Sequence, residues 1–229
     1  MPRLITAFLR HAEYRQKPDT PSAHQPFPLT AKGEQQARDA ATRLRQQITD
    51  NQWALHHTVD SSQLLRAWQT AKIIAGELAD LFDTDTPAQI DSFDELAERS
   101  MGSVANLSIR EIENIIHADP RFADLPADWK YNSHFRLPLQ GAESLLEAGE
   151  RVADFLKSRM QDLSNKIDHD SIKLFVGHGA AFRHAAYHLG LLQFDDIRKL
   201  SMFHAEPLFF EIDPDGHWSH IGGKWKQRQ

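Results

Sequence analysis

The sequence predicts an α/β fold in which a mostly parallel central sheet lies between two layers of helices. Three apolar, β-prone runs have the length of buried strands, and each ends where polar residues or glycine begin. Segments with helical periodicity separate the runs, as in repeated strand-helix units. The runs cover residues 3–9, 55–59 and 172–176. We therefore expect a three-layer α/β/α sandwich.

The helices are located by their caps and their apolar periodicity. A first long helix is predicted over residues 30–48, and a second follows the strand run at 55–59 and continues to about residue 81. Ser108 with Glu111 and Ser144 with Glu147 have capping-box spacing, which marks two more helix starts. The helix that begins at Ser144 is expected to end near residue 163.

The C-terminal region has the pattern of a hairpin followed by a tail. Residues 207–213 and 217–221 are predicted to pair around the turn sequence Pro214-Asp215-Gly216. The last residues, 222–229, are basic and are expected to be frayed.

Two segments lack a regular pattern and are expected to bind substrate. Residues 13–29 contain four prolines, so they predict an ordered loop rather than a helix or a central strand. Residues 99–140 predict a lid insertion over the site. The candidate substrate contacts in the loop are Tyr14, Arg15, Lys17 and His24, and the polar and aromatic lid residues are Trp129, Lys130, Tyr131, His134 and Arg136.

Composition limits the classes of function. A chain of 229 residues can form one sizeable core, so a single domain over residues 1–229 is expected. The net charge of −6 argues against a nucleic-acid-binding surface. Because the sequence has no cysteine, disulfides and thiolate chemistry are excluded. No apolar run of membrane-spanning length and no signal-peptide pattern is visible, and we expect a cytoplasmic enzyme without a membrane partner.

An arginine and a histidine stand together where the first strand run ends. Arg10 offers planar, permanently charged donors that match two phosphate oxygens, and a neutral His11 imidazole offers a lone pair that can attack phosphorus. The carboxyl ends of parallel strands form the ligand crevice of open α/β sheets. The pair therefore indicates a phosphoryl site.

Two later segments have the same relation to the sheet. Arg66 falls in the first turns of the predicted second helix, where the helix dipole favours an anion. His178 follows the strand run at 172–176 and is flanked by Gly177 and Gly179, which allow a ligand to approach the backbone closely. We expect both side chains at the same sheet edge as His11.

A carboxylate-bearing stretch, residues 93–102, supplies candidates for proton transfer. The leaving oxygen of a phosphate ester needs a proton, which a buried carboxylic acid can give. Asp94, Glu95 and Glu98 compete for this role, and Asp94 and Glu95 can equally be solvated loop charges.

Together these segments resemble the histidine phosphatase superfamily, also called the phosphoglycerate mutase-like family, over nearly the whole chain. The matching motifs are Arg10-His11-Ala12-Glu13, Ser62-Gln-Leu-Leu-Arg66-Ala-Trp-Gln-Thr-Ala71, Leu96-Ala-Glu98-Arg-Ser-Met-Gly102 and Gly177-His178-Gly179. Gly141-Ala142-Glu143-Ser144 is similar to the family's Gly-Gly-Glu-Ser.

The resemblance implies a role for each matched residue. His11 would be the nucleophile that becomes phosphorylated, and Glu98 the proton donor, in preference to Glu95. Phosphate binding would involve Arg10, Arg66, His178 and Gly179. Ala12 replaces the family's usual glycine, Asn106 stands where many members have glycine, and Lys17 stands where many have a phosphate-contacting asparagine.

The implied activity is that of a phosphomonoesterase of the histidine acid type, with no cofactor and no metal. Its partner would be a phosphorylated small molecule or a phosphoprotein. The thirteen histidines raise a metal alternative, but adjacent strand histidines such as His56 and His57 are expected on opposite faces, and the pair His217 and His220 lacks zinc-ligand spacing.

Two other functions remain open. A cofactor-dependent phosphoglycerate mutase is disfavoured because the loop after Glu13 lacks the Asn and the Thr-Gly-Trp-x-Asp pattern that such mutases share, and the lid lacks their paired arginines. The other is a silent family member that only binds a phosphorylated ligand. The presence of all five chemical residues argues against it. The sequence leaves the physiological substrate and the oligomeric state open.

Overall fold

The computed structural model describes residues 2–21, 23–82 and 87–228. A six-stranded sheet has the order β3-β2-β4-β1-β6-β7, and a separate two-stranded sheet pairs β5 with β8. The strands are β1 (Leu4–Arg10), β2 (Ala54–Ser62), β3 (Gln89–Phe93), β4 (Ser171–Gly177), β5 (Leu200–Ser201), β6 (Pro207–Ile212), β7 (Trp218–Gly222) and β8 (Lys226–Gln227). Strands β1 to β4 are parallel to one another, whereas β6 pairs antiparallel with both β1 and β7.

Six α-helices connect or follow these strands. They are α1 (Ala31–Asn51), α2 (Leu65–Glu77), α3 (Ile109–Ala118), α4 (Leu145–Ser164), α5 (Gly179–His188) and α6 (Phe194–Lys199). The predicted caps are present: Thr30 caps α1, and both expected capping boxes form, at Ser108 and Ser144. The short strands β6 and β7 form the predicted terminal hairpin. None of the helices in the described ranges combines the length and the apolar run that crossing a membrane requires.

Side chains of β1 and β4 alternate between two apolar cores, one on each face of the sheet. Ile5 and Leu9 pack with residues of α1 and α2, whereas Phe8 packs with residues of α4 and α5. This arrangement confirms the predicted three-layer sandwich with a mostly parallel sheet. It also explains why the β1 sequence is apolar without alternation, since both of its faces are buried.

The register of the two central strands determines where the chemistry lies. In the parallel pairing of β1 with β4, Arg10 is opposite Gly177, so His11 and His178 leave the sheet at the same edge. The backbone N–H of His11 donates to the Gly177 carbonyl at 2.9 Å, which holds the two strand ends together. Residues far apart in sequence therefore meet at the carboxyl edge of the sheet, as the sequence predicted.

The predicted lid has its own apolar core. Val104, Ile112, Trp129 and Leu137 form a third buried cluster together with Ala23 of the 13–29 loop. In its described residues the loop has no helix, and the one bridge found there joins Tyr14 and Leu29. The two irregular segments therefore pack against each other rather than project separately into solvent.

Two expectations about the chain's local structure are wrong. The tail is not frayed up to Arg228, because Lys226–Gln227 pair with Leu200–Ser201 and the Arg228 N–H donates to the Lys199 carbonyl. His56 and His57 do not lie on opposite faces. Their rings stack with centroids 4.5 Å apart, because the pairing of β2 with β4 shifts register between Leu55 and Val59 and breaks the strict alternation.

Candidate active site

His11 is held in one tautomer at the end of β1. The residue is 2% exposed, and its Nδ1 lies 2.8 Å from the Ala12 carbonyl, which can only accept a hydrogen bond. Nδ1 therefore carries the hydrogen, and the lone pair is on Nε2. Burial, and then the nearby Arg66 and Arg10 guanidiniums, lower the pKa of His11 well below its ordinary value. At neutral pH the ring is thus neutral and can act as a nucleophile.

Arg10 extends beside the first turn of α5. Its guanidinium donates to the Met202 carbonyl at 3.1 Å, and burial lowers its pKa although Glu98 opposes this effect.

A Cβ placed on Gly179 would lie 2.9 Å from the Arg10 Cδ, so glycine is needed here for the arginine side chain. Next to His178, Gly177 similarly makes room for the Phe182 ring. The sequence argument explained both glycines by close approach of a ligand, whereas their neighbours in the structure are protein side chains.

Arg66 is fully buried behind His11. Its guanidinium donates to the carbonyl oxygens of Gln25 at 3.0 Å and Ala23 at 2.9 Å, and it stacks on the Tyr14 ring at 4.6 Å. The Tyr14 ring in turn meets the His11 ring edge-on, with centroids 5.2 Å apart. The 13–29 loop is therefore held beside His11 by the arginine that the sequence analysis assigns to phosphate binding.

His178 lies between Arg66 and β2. Its Nδ1 accepts from Arg66 at 3.2 Å, which leaves Nε2 to donate to the Ser62 hydroxyl at 2.9 Å. Burial, followed by the charge of Arg66, lowers the pKa of His178 well below its ordinary value. The His178 and His11 rings are 5.1 Å apart between centroids. Both predicted histidines and both predicted arginines thus occupy one region.

Glu98 reaches the same edge from the turn after β3. One carboxylate oxygen accepts from the Arg99 N–H at 2.9 Å and the other from the Ala180 N–H at 3.3 Å, at the start of α5. Asp94 and Glu95 are exposed in the same turn, and neither lines the cavity in front of His11. Of the three competing carboxylates, only Glu98 faces that cavity.

A network that the sequence analysis missed holds the Glu98 turn. Arg151 of α4 makes a bidentate ion pair with Glu143, with both N···O distances at 2.8 Å. The same guanidinium donates to the backbone carbonyls of Glu95 and Ala97, which lie in the turn that leads to Glu98. Glu143 also accepts from the Ser100 N–H, on the other side of Glu98. The Gly-Ala-Glu-Ser motif therefore positions the carboxylate. Arg151 lies in the second turn of the helix predicted to begin at Ser144, and this short distance from Glu143 is the signal that could have indicated the pair.

The cavity in front of His11 has a volume of about 290 Å³. Arg10, His11, Glu98 and Gly179 line it, together with residues of the lid and with Arg228 of the C-terminal tail. Arg66 and His178 lie behind this surface. Arg183 and Lys130 also line the cavity. Arg183 was not singled out from the sequence, although it lies one helical turn after Gly179 and so on the same face of α5.

The loop residues predicted to contact substrate separate into two groups. Tyr14 is buried against His11 and Arg66, as described above. Arg15, Lys17 and His24 are exposed and are not among the described residues that line the cavity, so their substrate contacts stay predictions. The Lys17 ammonium donates instead to the Asn106 carbonyl at 3.3 Å.

The structure accommodates the departures from the family motifs. Asn106 has a φ of +70°, in the left-handed region that glycine and asparagine adopt at the lowest cost. Ala12 is fully buried, and its N–H donates to the Thr70 hydroxyl.

Another buried residue, Ala205, also has a positive φ, of 51°, and its N–H donates to the Arg10 carbonyl. Next to it, His204 lies 2.8 Å from the His11 carbonyl through Nδ1 and was missed by the sequence analysis.

Potential metal ligands cluster elsewhere. In the described part of the chain, the one group of three such side chains close enough to share an ion is Asp213, Asp215 and His217, all exposed in the turn between β6 and β7. The Asp213 carboxylate already accepts the backbone N–H groups of Asp215 and His217. This turn does not contribute to the cavity in front of His11.

The sheet and the residues at its edge have the arrangement of an α/β phosphatase, and comparison with known proteins gives the family. Residues 6–220 match the histidine phosphatase superfamily (branch 1), and the chain belongs to this superfamily. No curated protein sequence matches the chain significantly.

Solved structures share the whole fold at low sequence identity. The chain is similar to a mycobacterial glucosyl-3-phosphoglycerate phosphatase, with 18% identity, a TM-score of 0.69 and coverage of 94% of this chain and 96% of the other. A putative alpha-ribazole-5'-P phosphatase from Escherichia coli is similar with 17% identity, a TM-score of 0.68 and coverage of 96% of both chains. Bacillus stearothermophilus YhfR is similar with 20% identity, a TM-score of 0.68 and coverage of 96% of both chains. These similarities confirm the phosphoglycerate mutase-like fold.

Proposed function

We propose that the protein is a phosphomonoesterase that hydrolyses its substrate through a phosphohistidine at His11. The observation that carries the proposal is the single tautomer of a buried, neutral His11, whose Nε2 is left as the nucleophilic atom at the cavity. Membership of the histidine phosphatase superfamily supports a phosphatase. The names of the similar structures specify different phosphate esters, so they do not select a substrate.

The proposed first step transfers the phosphoryl group to His11. Nε2 attacks phosphorus, the bond from phosphorus to the ester oxygen breaks, and Glu98 gives its proton to the departing oxygen. Arg10 and Arg66 supply fixed positive charge around the other phosphate oxygens, a role that Mg²⁺ has in many phosphoryl-transfer enzymes. For Arg66 to bind phosphate, its hydrogen bonds to the Ala23 and Gln25 carbonyls must be exchanged for bonds to phosphate oxygens.

The second step releases inorganic phosphate. A water molecule attacks the phosphohistidine, Glu98 takes a proton from that water, and Nε2 of His11 recovers its lone pair. The cycle returns both residues to their starting protonation states. It requires no cofactor, and its charge stabilisation comes from the chain's own arginines.

Trapping of the intermediate tests this proposal. The protein is mixed with ³²P-labelled phosphomonoester, quenched in alkali, where phosphohistidine survives, and then exposed to acid, where it is lost. We expect acid-labile label on the unmodified protein and on His117→Ala, which removes an exposed histidine of α3, and none on His11→Ala. Label retained by His11→Ala would refute the assignment.

Turnover distinguishes the phosphatase from the alternatives. para-Nitrophenyl phosphate serves as a generic substrate, and a panel of phosphate esters and phosphopeptides then addresses specificity. Conversion of 3- to 2-phosphoglycerate faster than hydrolysis would instead indicate a mutase. Binding of phosphate esters without either turnover or trapped label would indicate a non-catalytic member of the family.

A further inference from the structure

The cavity in front of His11 carries more positive charge than one phosphate group requires. Besides Arg10, four cationic residues line it, and we call these the outer cations: Arg99, Lys130, Arg183 and Arg228. Among the described lining residues, Glu98 is the single acidic one. Five cations therefore face one carboxylate, in a chain whose net charge is −6. The positive potential is local to this cavity.

Four separate segments bring the outer cations together. Arg99 directly follows Glu98, Lys130 belongs to the lid, Arg183 is in α5, and Arg228 follows β8. Pairing of β8 with β5 and the hydrogen bond from the Arg228 N–H to the Lys199 carbonyl hold the tail at the cavity. Because these positions lie far apart in sequence, their convergence is a property of the fold rather than of one basic stretch.

Among the described residues, the outer cations have no carboxylate partners. Within residues 2–21, 23–82 and 87–228, no acidic side chain lies within ion-pair distance of any of the four. Arg183 is the most buried of them, at 6% exposed. Its guanidinium donates to the Leu200 carbonyl at 3.1 Å, and its Nε has no partner among the described residues.

Burial of these like charges has a cost that an anion would offset. Burial, followed by the charge of Arg228, lowers the pKa of Arg183 to about 10, and burial also lowers the pKa of Arg99. A guanidinium removed from water without an acceptor destabilises the folded protein, whereas a carboxylate or phosphate supplies charge-assisted acceptors. The outer half of the cavity is thus suited to bind an anion.

We propose that the outer cations form a second anion subsite, and that the substrate is a small phosphate ester carrying a further carboxylate or phosphate group. This inference rests on the proposed function, because it assumes that the ester phosphate binds at His11. The cavity volume of about 290 Å³ is at the lower end of the range for small-molecule sites, which favours a compact phosphorylated acid over a protein segment.

Binding of stable phosphonates tests the subsite without requiring turnover. The probes are 3-phosphonopropionate and 3-hydroxypropylphosphonate, which have similar size but differ in one negative charge, and propane-1,3-bisphosphonate as the phosphate arm. Isothermal titration calorimetry at constant ionic strength measures the three dissociation constants. We expect at least one of the two probes that carry a second anionic group to bind about tenfold more tightly than the alcohol, with a difference that shrinks as salt is added. The better of the two identifies the second group.

Charge-removing variants locate the effect. In Lys130→Gln/Arg228→Gln, which changes side chains that are partly or fully exposed, we expect the preference for the second anion to fall to about threefold or less. Lys224→Gln removes an exposed charge from the same tail away from the cavity and should keep the preference of the unmodified protein. Equal dissociation constants for all three probes, or an equal preference in the double variant and in Lys224→Gln, would overturn the proposal.

The outcome is separable from that of the proposed function. Hydrolysis of para-nitrophenyl phosphate and trapping of phosphohistidine report on His11, and neither requires a second anion on the ligand. Turnover together with equal phosphonate affinities would reject the subsite and keep the phosphatase. A preference for the probes with a second anionic group, without turnover or trapped phosphate, would keep the subsite as an anion site and reject the phosphatase.

Discussion

The middle of the sheet and its carboxyl edge both bury cationic side chains, but they treat the charges differently. In the middle, Lys173 pairs with the fully buried Asp60 at 2.8 Å, and Arg159 contacts the same carboxylate at 2.7 Å. At the edge, Arg10 and Arg183 donate to backbone carbonyls and make no ion pair with a described residue. Paired charges belong to the fold, whereas unpaired charges beside a cavity indicate an anionic ligand.

The reason for the charges in the middle is local. The pairing of β2 with β4 shifts register between Leu55 and Val59, which interrupts the ladder near Thr58. The Lys173 ammonium donates to the Thr58 carbonyl at 3.2 Å and to its hydroxyl at 2.6 Å. Asp60 then balances the charge of that ammonium. The buried Lys173–Asp60 ion pair therefore supplies hydrogen-bond donors to the irregular part of β2, and it lies away from the cavity in front of His11.

Removal of the paired carboxylate should have the largest effect on stability. Asp60→Asn leaves the Lys173 ammonium buried without its counter-charge, so we expect the free energy of unfolding to fall by about 3–5 kcal/mol. Urea denaturation at neutral pH measures the loss. Activity per folded molecule should be unchanged, since Asp60 is not at the cavity.

A second variant separates charge from packing. Asp60→Asn/Lys173→Met removes both buried charges and should recover a substantial part of the lost stability, because no unpaired ammonium remains. If the single and double variants were equally destabilised, burial of unpaired charge would not be the cause.

Replacement of Glu98, the carboxylate at the sheet edge, should reduce activity strongly and stability only slightly. Glu98→Gln should reduce kcat/KM for an alkyl phosphate about 100- to 1000-fold, because the poor leaving oxygen needs a proton. The loss should be much smaller for para-nitrophenyl phosphate, whose leaving group needs little protonation. The free energy of unfolding should change by about 0.5 kcal/mol or less, as for most partly exposed sites. Glu95→Gln, in the same turn, is the matched control. An equal loss on both substrates would exclude Glu98 as the proton donor.

Buried histidines avoid the cost of an unpaired cation by remaining neutral. His184 of α5 donates through Nδ1 to the Ala180 carbonyl and accepts at Nε2 from the Ser133 hydroxyl, and burial lowers its pKa to about 3. The unfolded chain takes up a proton near pH 6.5, whereas the native ring does so only near pH 3. Stability should therefore fall as the pH drops below 6.5, by about 1.4 kcal/mol per pH unit for this group.

Unfolding at a series of pH values measures this slope. Between pH 6 and pH 4.5 the free energy of unfolding of His184→Asn should fall less steeply than that of the unmodified protein. The difference in slope should correspond to about one bound proton. In the control, His117→Asn, the slope should not decrease, because the exposed His117 has a pKa raised by its hydrogen bond with Asp124 and favours folding at low pH. Parallel pH profiles for the protein and for His184→Asn would contradict the assignment of a neutral, buried ring.

Local signals made most of the fold predictable. Apolar strands, capping residues and the turn at Gly216 are determined by neighbours in sequence, and the structure confirms the elements they predict. The rule that parallel strands share one ligand edge was enough to bring His11 and His178 together. The stacking of His56 with His57 was not predictable, because the register shift in β2 depends on its pairing with β4.

The outer parts of the site depend on contacts between distant segments. Arg228 was predicted to lie in a frayed tail, because a two-residue strand has no periodicity in the sequence. The pairing of β8 with β5 is what brings Arg228 to the cavity. Similarly, the sequence does not distinguish Arg183 from other helix arginines. Its place at the cavity depends on the packing of the lid and the tail around it. The side chains proposed to bind the reacting phosphate lie in sequence motifs, whereas the outer cations are brought together by tertiary packing alone.

The smallest expected effect concerns Arg151, an ion-paired cation whose contacts reach the carboxyl edge of the sheet. Arg151 pairs with Glu143 and also donates to the carbonyls that precede Glu98, so we expect it to act as a positioning residue. Arg151→Lys keeps the charge but cannot make these bonds together. We expect kcat/KM for an alkyl phosphate to fall about three- to tenfold, with a smaller loss for para-nitrophenyl phosphate.

The dependence on the leaving group distinguishes positioning from general destabilisation. Arg121→Lys makes the same change at a bidentate pair with Asp119 on the surface, and both substrates should keep their rates in this control. A loss in Arg151→Lys that is equal for the two substrates would indicate a disturbed fold. A loss confined to the alkyl ester would mean that a paired cation can serve the chemistry indirectly, by fixing the backbone from which the catalytic carboxylate extends.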